Sequence, residues 1–209
     1  YMGCKLIAAS PKTKRASYLI SLFDQNTMDL AALLDGNGIT GVRTAATSAV
    51  AVDLLAPDKP LRVGVIGTGF EARGLLEALC SVRAIERVRV YSPTVANRER
   101  FAAAFSSQHG ISVSAVNTPS AAVSMADVVL CAARSRDESP VLQGDWLSFG
   151  AVVVSVGSTL PEQREVDETT LRRASLIVAD MPEEVLHETG DALAARQAGV
   201  DLAVKTVSL

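Results

Sequence analysis

Residues 61–74 read Leu-Arg-Val-Gly-Val-Ile-Gly-Thr-Gly-Phe-Glu-Ala-Arg-Gly, and no other stretch constrains the fold as tightly. Residues 63–66 form a short apolar strand, a glycine turn follows, and a helix begins that carries Leu75, Leu76 and Leu79. The spacing Gly67-x-Gly69-x-x-Ala72 is that of a dinucleotide-binding turn with alanine as its third small residue. Gly67 makes the tight turn, Gly69 lets backbone approach a pyrophosphate, and Ala72 lets helix and strand pack closely. Free N–H groups at the helix start, with the positive end of its dipole, then hold phosphate. The plain alternative is a glycine turn that binds nothing. It is disfavoured by the strand-turn-helix context and by a second strand-like run at residues 87–91.

Composition narrows the fold further. Of 209 residues, 48% are hydrophobic but only 4% aromatic, so the core is built from Ala, Val and Leu, as suits a parallel sheet covered by helices. The net charge is −3 and the pI about 5.5. With no basic block, nucleic acid and anionic membranes are not expected partners. Cys4, Cys80 and Cys131 are far apart and form no Cys-x-x-Cys pair. Reduced thiols in a cytosolic protein are expected, and no metal site is. His109 and His187 read as solvated. No apolar run is long enough to span a membrane and no signal peptide is visible. The abrupt start, Tyr1-Met2 and then strand, suggests that an N-terminal portion is missing.

Taken in order, residues 5–9 and 18–23 read as strands, Asp24-Gln25-Asn26-Thr27 as a turn, and residues 30–34 as the return strand of a hairpin. Asp35-Gly36-Asn37-Gly38 is a second turn signal. Residues 40–55 form a helix of small residues in which Arg43 is the only charge between Asp35 and Asp53. Arg43 is either an exposed helix arginine or, as its uncharged surroundings favour, an anion clamp suited to a carboxylate. Ala56-Pro57-Asp58-Lys59-Pro60 is a linker and marks the domain boundary. Strands are then expected at 61–66, 87–91, 112–116, 128–132, 152–156 and 176–179, and helices at 70–82, 96–107, 120–125 and 183–197. The resulting organisation is a partial substrate-binding and dimerisation domain of α+β type (1–56), a doubly wound Rossmann-type α/β domain (57–200), and a tail (201–209) returning to the first domain.

Gly67, Thr68, Gly69, Phe70 and Glu71 are the expected phosphate-binding turn. The second strand ends Tyr91-Ser92-Pro93-Thr94, without the acid that bonds a ribose 2′-hydroxyl in NAD-specific folds. Ser92, Thr94 and Arg98 could receive a 2′-phosphate, so NADP(H) is preferred and NAD(H) remains possible. Ala132, Ala133 and Arg134 follow the fourth strand and should lie along the cofactor, since ligands sit beyond the carboxyl ends of the strands. Gly157 and Ser158, after the fifth, would reach the nicotinamide.

Further segments carry a resemblance. Leu33-Leu34-Asp35-Gly36, Ile39-Thr40, Arg43-Thr44-Ala45-Ala46 and Ser48-Ala49, followed by Gly67-Thr68-Gly69-Phe70-Glu71-Ala72, resemble the ornithine cyclodeaminase/mu-crystallin family. Gly3-Cys4-Lys5-Leu6 looks like that family's substrate-lysine strand. Ser155-Val156-Gly157-Ser158 with Pro161 and Arg164-Glu165 looks like its loop beside the nicotinamide, and Glu188-x-Gly190-Asp191 fits its late helix. The resemblance covers almost the whole chain. Family members are typically half as long again, and a loop is suspected between Val200 and Lys205.

The resemblance implies a homodimeric, two-domain NAD(P)-dependent enzyme acting on an amino acid or its imine. Lys5 and Arg43 would hold the substrate carboxylate, and Lys5 would polarise or protonate the reacting nitrogen. One position departs from the cyclodeaminases of the family. Where they carry an aspartate after the Val-Gly-x segment, this chain has Thr159, which cannot act as a general base near neutral pH without a stronger base beside it. The multi-step route of ring closure with loss of ammonia suffers most from that loss. Reduction of a preformed cyclic imine needs only hydride, a carboxylate clamp and one proton donor. The expected activity is therefore reduction of a pyrroline- or piperideine-carboxylate. Two alternatives are deamination of ornithine, alanine or arginine, and a cofactor-binding protein without turnover.

Overall fold

The structure, a computed structural model, describes residues 1–10, 15–135 and 137–209. Its contacts divide the chain into two units, Tyr1–Thr44 and Ala45–Leu209.

In the first unit, β1 (Met2–Ser10), β2 (Arg15–Phe23) and β3 (Leu30–Asp35) form an antiparallel sheet in that order. The register pairs Lys5 with Ile20 and Cys4 with Ser21. At the β2–β3 turn, Asp24 Oδ1 accepts from the N–H groups of Asn26 and Thr27 at 2.8 and 3.2 Å. This is an Asx turn of the kind that aspartate favours. The second turn signal has a different outcome. Asp35 Oδ1 accepts from Asn37 N at 2.9 Å, and α1 (Asn37–Leu55) begins there, so Asn37 and Gly38 form its first turn rather than a loop.

The boundary between the units falls inside α1 rather than at the linker 56–60. The reason is burial: Ala45, Ala49 and Val52 are 5%, 5% and 1% exposed, and Val52 joins the core of the second unit.

The second unit alternates strand and helix: β4 (Leu61–Ile66), α2 (Phe70–Val82), β5 (Ile85–Tyr91), α3 (Val95–His109), β6 (Val113–Ala115), α4 (Pro119–Val123), β7 (Val128–Cys131) and β8 (Val152–Ser155). The strands form one parallel sheet in the order β6-β5-β4-β7-β8. This is the doubly wound arrangement expected, with its change of direction between β4 and β7. Buried Val63, Val65, Val88, Val90, Val128 and Leu130 make the strands apolar, as a sheet covered on both faces requires. Leu75, Leu76 and Leu79 of α2 and the stacked pair Phe101–Phe105 of α3 pack on it. At the amino-terminal end of β4 and β7, Asp127 accepts from Arg62 N, Nε and Nη2 at 3.0, 2.9 and 2.8 Å. Lys59 Nζ lies 2.9 Å away.

The carboxy-terminal part departs from expectation in three ways. After α5 (Glu168–Arg173), β9 (Ile177–Ala179) is not a sixth strand of the main sheet. It pairs in parallel with β10 (Thr206–Ser208) in a separate sheet. The expected helix 183–197 is two helices, α6 (Pro182–Glu188) and α7 (Gly190–Gln197). They break because Gly190 N donates to Leu160 O at 3.1 Å, and its backbone lies so close to Pro161 and Gln163 that no side chain fits. The tail 201–209, expected to return to the first domain, instead lies in the second unit. Lys205 Nζ donates to the carbonyls of Leu171, Arg172 and Ala174 at 2.7, 3.1 and 3.0 Å, where cations suit the end of α5, and this sets β10 beside β9.

Candidate functional site

The carboxyl ends of β4, β5, β7 and β8 bring most of the expected cofactor residues together. Gly67 has φ +109, and a Cβ there would strike the carbonyl of Ala132. Only glycine allows β4 to turn this close to the end of β7. Gly67 N also donates to Tyr91 O at 2.9 Å, which ties the turn to β5. Gly69 is exposed, has nothing within 4 Å of an added Cβ, and caps α2 with no side-chain bond to the helix N–H groups. Thr68 is half-buried and Phe70 is 68% exposed. An open, uncapped helix start beside a glycine that tolerates no Cβ fits a pyrophosphate. Glu71 lies in the first turn of α2.

At the end of β5, Ser92 is buried and Thr94 exposed. Arg98 is 8% exposed. Its Nη1 donates to Ser92 O at 3.0 Å, its Nη2 to Asn117 Oδ1 at 2.6 Å, and the guanidinium lies 5.9 Å from the centre of the Tyr91 ring. Among the described residues no carboxylate lies within ion-pair distance of it. Arg98 thus braces the turn that carries Ser92.

The ends of β7 and β8 are joined by a residue that sequence reasoning gave no role. Glu165 is fully buried. Its Oε1 accepts from Ala133 N at 2.7 Å, and its Oε2 accepts from Gly157 N at 2.7 Å and from Ser155 Oγ at 2.5 Å. Burial pushes its carboxyl up to about 7, against the opposing pull of these three donors. Beneath it, Asp191 accepts from the N–H groups of Glu165 and Val166 at 2.9 and 3.2 Å and from Arg164 Nε at 3.2 Å. Arg164 also pairs with Glu168 at 2.7 Å. An acid next to an arginine in a loop reads as solvated from sequence. The available signal was apolar Val166 following directly, with Gly157 close by.

The loop after β8 is folded on itself. Ser158 Oγ donates to Gln163 O at 2.8 Å and accepts from Asp191 N at 3.2 Å. Thr159 is exposed, and both its N and Oγ1 donate to Gln163 Oε1, at 3.0 and 2.9 Å. The neighbour of the threonine hydroxyl is therefore an amide, which is not a base. Arg134 is exposed beside half-buried Ala132 and Ala133.

Lys5 and Arg43 belong to the first unit. Both are exposed, Lys5 on β1 with Nζ 4.6 Å above the Tyr18 ring, Arg43 on α1. Of the histidines, His187 is exposed. His109 is half-buried rather than solvated, stacked 5.2 Å from Phe105, with Nε2 buried and unpartnered. The periodicity that puts Phe101 and Phe105 on the core face of α3 also puts His109 there. Among the described residues no cluster of His, Cys, Asp or Glu could hold a metal ion, and no helix is long and apolar enough to cross a membrane.

Comparison with known proteins agrees with this geometry. Ketimine reductase mu-crystallin of Mus musculus is 34% identical over 174 residues, covering 83% of this chain and 53% of that protein. The Delta(1)-pyrroline-2-carboxylate reductase of Bacillus cereus is 31% identical over 195 residues, covering 91% of this chain and 59% of that protein. The chain thus spans between half and three-fifths of the length of these relatives. Among solved structures, the Thermococcus litoralis Delta(1)-pyrroline-2-carboxylate reductase in complex with NADH and L-proline superposes with a TM-score of 0.89 at 32% identity. It covers 99% of this chain and 64% of that one. Residues 1–206 match the ornithine cyclodeaminase/mu-crystallin family, and the chain belongs to that family.

Proposed function

We propose that this protein is an NAD(P)H-dependent reductase of a small cyclic imino acid of the pyrroline- or piperideine-carboxylate kind. The carrying observation is the state of the carboxylates around the loop after β8. Thr159 stands where cyclodeaminases have their aspartate, and its hydroxyl bonds the Gln163 amide. The two buried acids nearby, Glu165 and Asp191, are each occupied by three donors. Engaged in this way, neither acid is free to take over the proton and amine steps of cyclodeamination. The relatives named ketimine reductase mu-crystallin and Delta(1)-pyrroline-2-carboxylate reductase support the same reading.

When bound, the reduced nicotinamide supplies the hydride. The turn at Gly67, Thr68, Gly69, Phe70 and Glu71 would take the pyrophosphate, and Ala132, Ala133, Arg134, Gly157 and Ser158 would line the rest of the cofactor. Lys5 and Arg43 would hold the substrate carboxylate, with Lys5 as proton donor to the imine nitrogen. The uncompensated charge of Arg98 beside Ser92 and Thr94, with no acid at the end of β5, favours NADPH over NADH. Exposed Leu6, Ile7, Leu19 and Leu33 on the sheet of the first unit support a homodimer.

The test is oxidation of NADPH and NADH by the protein with Δ1-pyrroline-2-carboxylate, alongside NAD-dependent proline formation from ornithine. Imine reduction without proline formation from ornithine is expected. Efficient cyclodeamination would overturn the argument from Thr159. Tight cofactor binding with neither activity would point to another substrate or a binding role.

A further inference from the structure

We propose that Glu165 is a positioning residue for the nicotinamide end of the site. By bridging Ala133 after β7 to Ser155 and Gly157 at the end of β8, its carboxylate fixes the separation and orientation of the two loops that flank the reacting ring. This rests on the cofactor placement proposed above.

Beyond the last ladder bonds of a parallel sheet, the next N–H groups need partners elsewhere. Those of Ala133 and Gly157 follow adjacent strands, and a single buried carboxylate receives both, one on each oxygen. The bridge is itself held rigidly. Glu165 N is bonded to Asp191, and its carbonyl accepts from Val141 N and Leu142 N at 2.9 and 3.1 Å. There is no slack at the contact, since a Cβ added to Gly157 would lie 2.5 Å from Glu165 Oε1. Side chains in such a network position their neighbours with little freedom.

The bridge depends on ionisation. A carboxylate accepts from all three donors. A protonated carboxyl turns one oxygen into a donor, to which the Ser155 hydroxyl can adapt by rotating but the Gly157 amide cannot. The titratable groups facing Glu165 are few. Cys131 of β7 is buried beside it, its thiol pushed well up by burial and then by Glu165 itself. Asp191 of α7 lies below and is raised by burial. Arg164, next in the chain, is engaged by Asp191 and Glu168. None places a cation against the Glu165 oxygens, so its charge is stabilised only by neutral donors.

The experiment measures NADH binding by the wild type, Glu165→Gln and Ser155→Ala from about pH 6 to about pH 8.5, with thermal unfolding as a check on folding. NADH is the probe because a 2′-phosphate itself titrates at about pH 6. Wild-type affinity should strengthen as pH rises through about 7. Glu165→Gln should bind about tenfold more weakly at the alkaline end and show no such rise. Ser155→Ala removes one donor that favours the ionised form, so it should move the midpoint of the profile to higher pH while weakening binding about threefold. A merely structural glutamate would not produce that displaced midpoint. Wild-type affinity with an unchanged pH profile in Glu165→Gln overturns the proposal. If that variant does not fold, an unmoved midpoint in Ser155→Ala overturns it equally. Failure of the wild type to bind either NADH or NADPH is a different result, since it removes the cofactor reading itself.

Discussion

Two buried carboxylates sit at opposite ends of the same parallel sheet, and both accept backbone N–H groups. Asp127, at the amino-terminal end, faces the guanidinium of Arg62 and the ammonium of Lys59. These hold its carboxyl well below the usual carboxylate range, the hydrogen bonds from Arg62 being the largest cause. Glu165, at the carboxyl end, has only two backbone amides and a hydroxyl, and burial wins over them. The difference separates scaffold from site. Asp127 keeps its charge well below the usual carboxylate range, and it pins β4 to the approach of β7. Glu165 titrates in the neutral range, so the end of the sheet that would carry the cofactor has two states separated by one proton.

Opposite pH dependences of stability follow, and they are the sharpest way to break this comparison. The Glu165 carboxyl is raised from 4.5 to about 7 on folding. Its contribution to stability is therefore fully present below about pH 4.5 and is lost as pH rises to about 7. Between pH 5 and pH 8 the wild type should lose about 2.5 kcal/mol relative to Glu165→Gln, read from urea midpoints at the two pH values. Parallel curves would show that Glu165 is already ionised at pH 5. Asp127 has the opposite sign. Its folded value lies below the unfolded 3.8, so its contribution is present above that pH and lost as pH falls below it. Asp127→Asn should cost about 2 kcal/mol at pH 7, with the gap closing under acid. NADH binding should be unchanged at pH 7, because the residue lies at the far end of the strands.

Glu165 and its neighbour Asp191 mark the limit of what the sequence disclosed. Local patterns were readable: β4 and α2 run over the residues their periodicity indicated, and the glycine spacing placed the turn at Gly67. Partnerships formed over long separations were not. The run 176–179 reads as one more strand of the sheet, but the partner of β9 is Thr206–Ser208, brought in by Lys205 on the end of α5. The pattern 183–197 reads as one helix because the contact that splits it, Gly190 against the loop 160–163, is tertiary. Glu165 and Asp191 were visible as letters of a family pattern, yet nothing local says that an acid is buried. His109 was misjudged for the complementary reason, a polar neighbourhood in sequence on the apolar face of α3. The reading of Thr159 needs no such partnership, because it rests on what a hydroxyl can do.

A smaller effect tests the bridge without changing any ionisable group. Gly157→Ala introduces a methyl group 2.5 Å from Glu165 Oε1 and 2.8 Å from Cδ. Gly157 is not among the positive-φ glycines, so backbone strain does not enter, and the penalty comes mainly from displacing a carboxylate held by three bonds, with Ala133 O also close at 3.2 Å. NADH binding should weaken about tenfold. In the Glu165→Gln background, where the bridge is already impaired, the further loss should be smaller. Full additivity would mean that the two residues act on the site separately.

Arg98 is the mirror image of Glu165, a buried cation held by neutral acceptors, and it gives the finest discrimination. Its Nη2 is committed to Asn117 Oδ1 and its Nη1 to Ser92 O, yet its charge is not cancelled by an acid among the described residues. If the guanidinium only braces the turn after β5, Asn117→Ala should cost about 1 kcal/mol of stability and alter NADPH and NADH binding alike. If it also faces a 2′-phosphate, the variant releases a charged donor beside Ser92 and Thr94. NADPH should then bind about threefold more tightly while NADH does not change. We expect the second result, because the end of β5 carries no acid to repel the phosphate. An equal change for both cofactors would assign Arg98 to the scaffold, with Asp127.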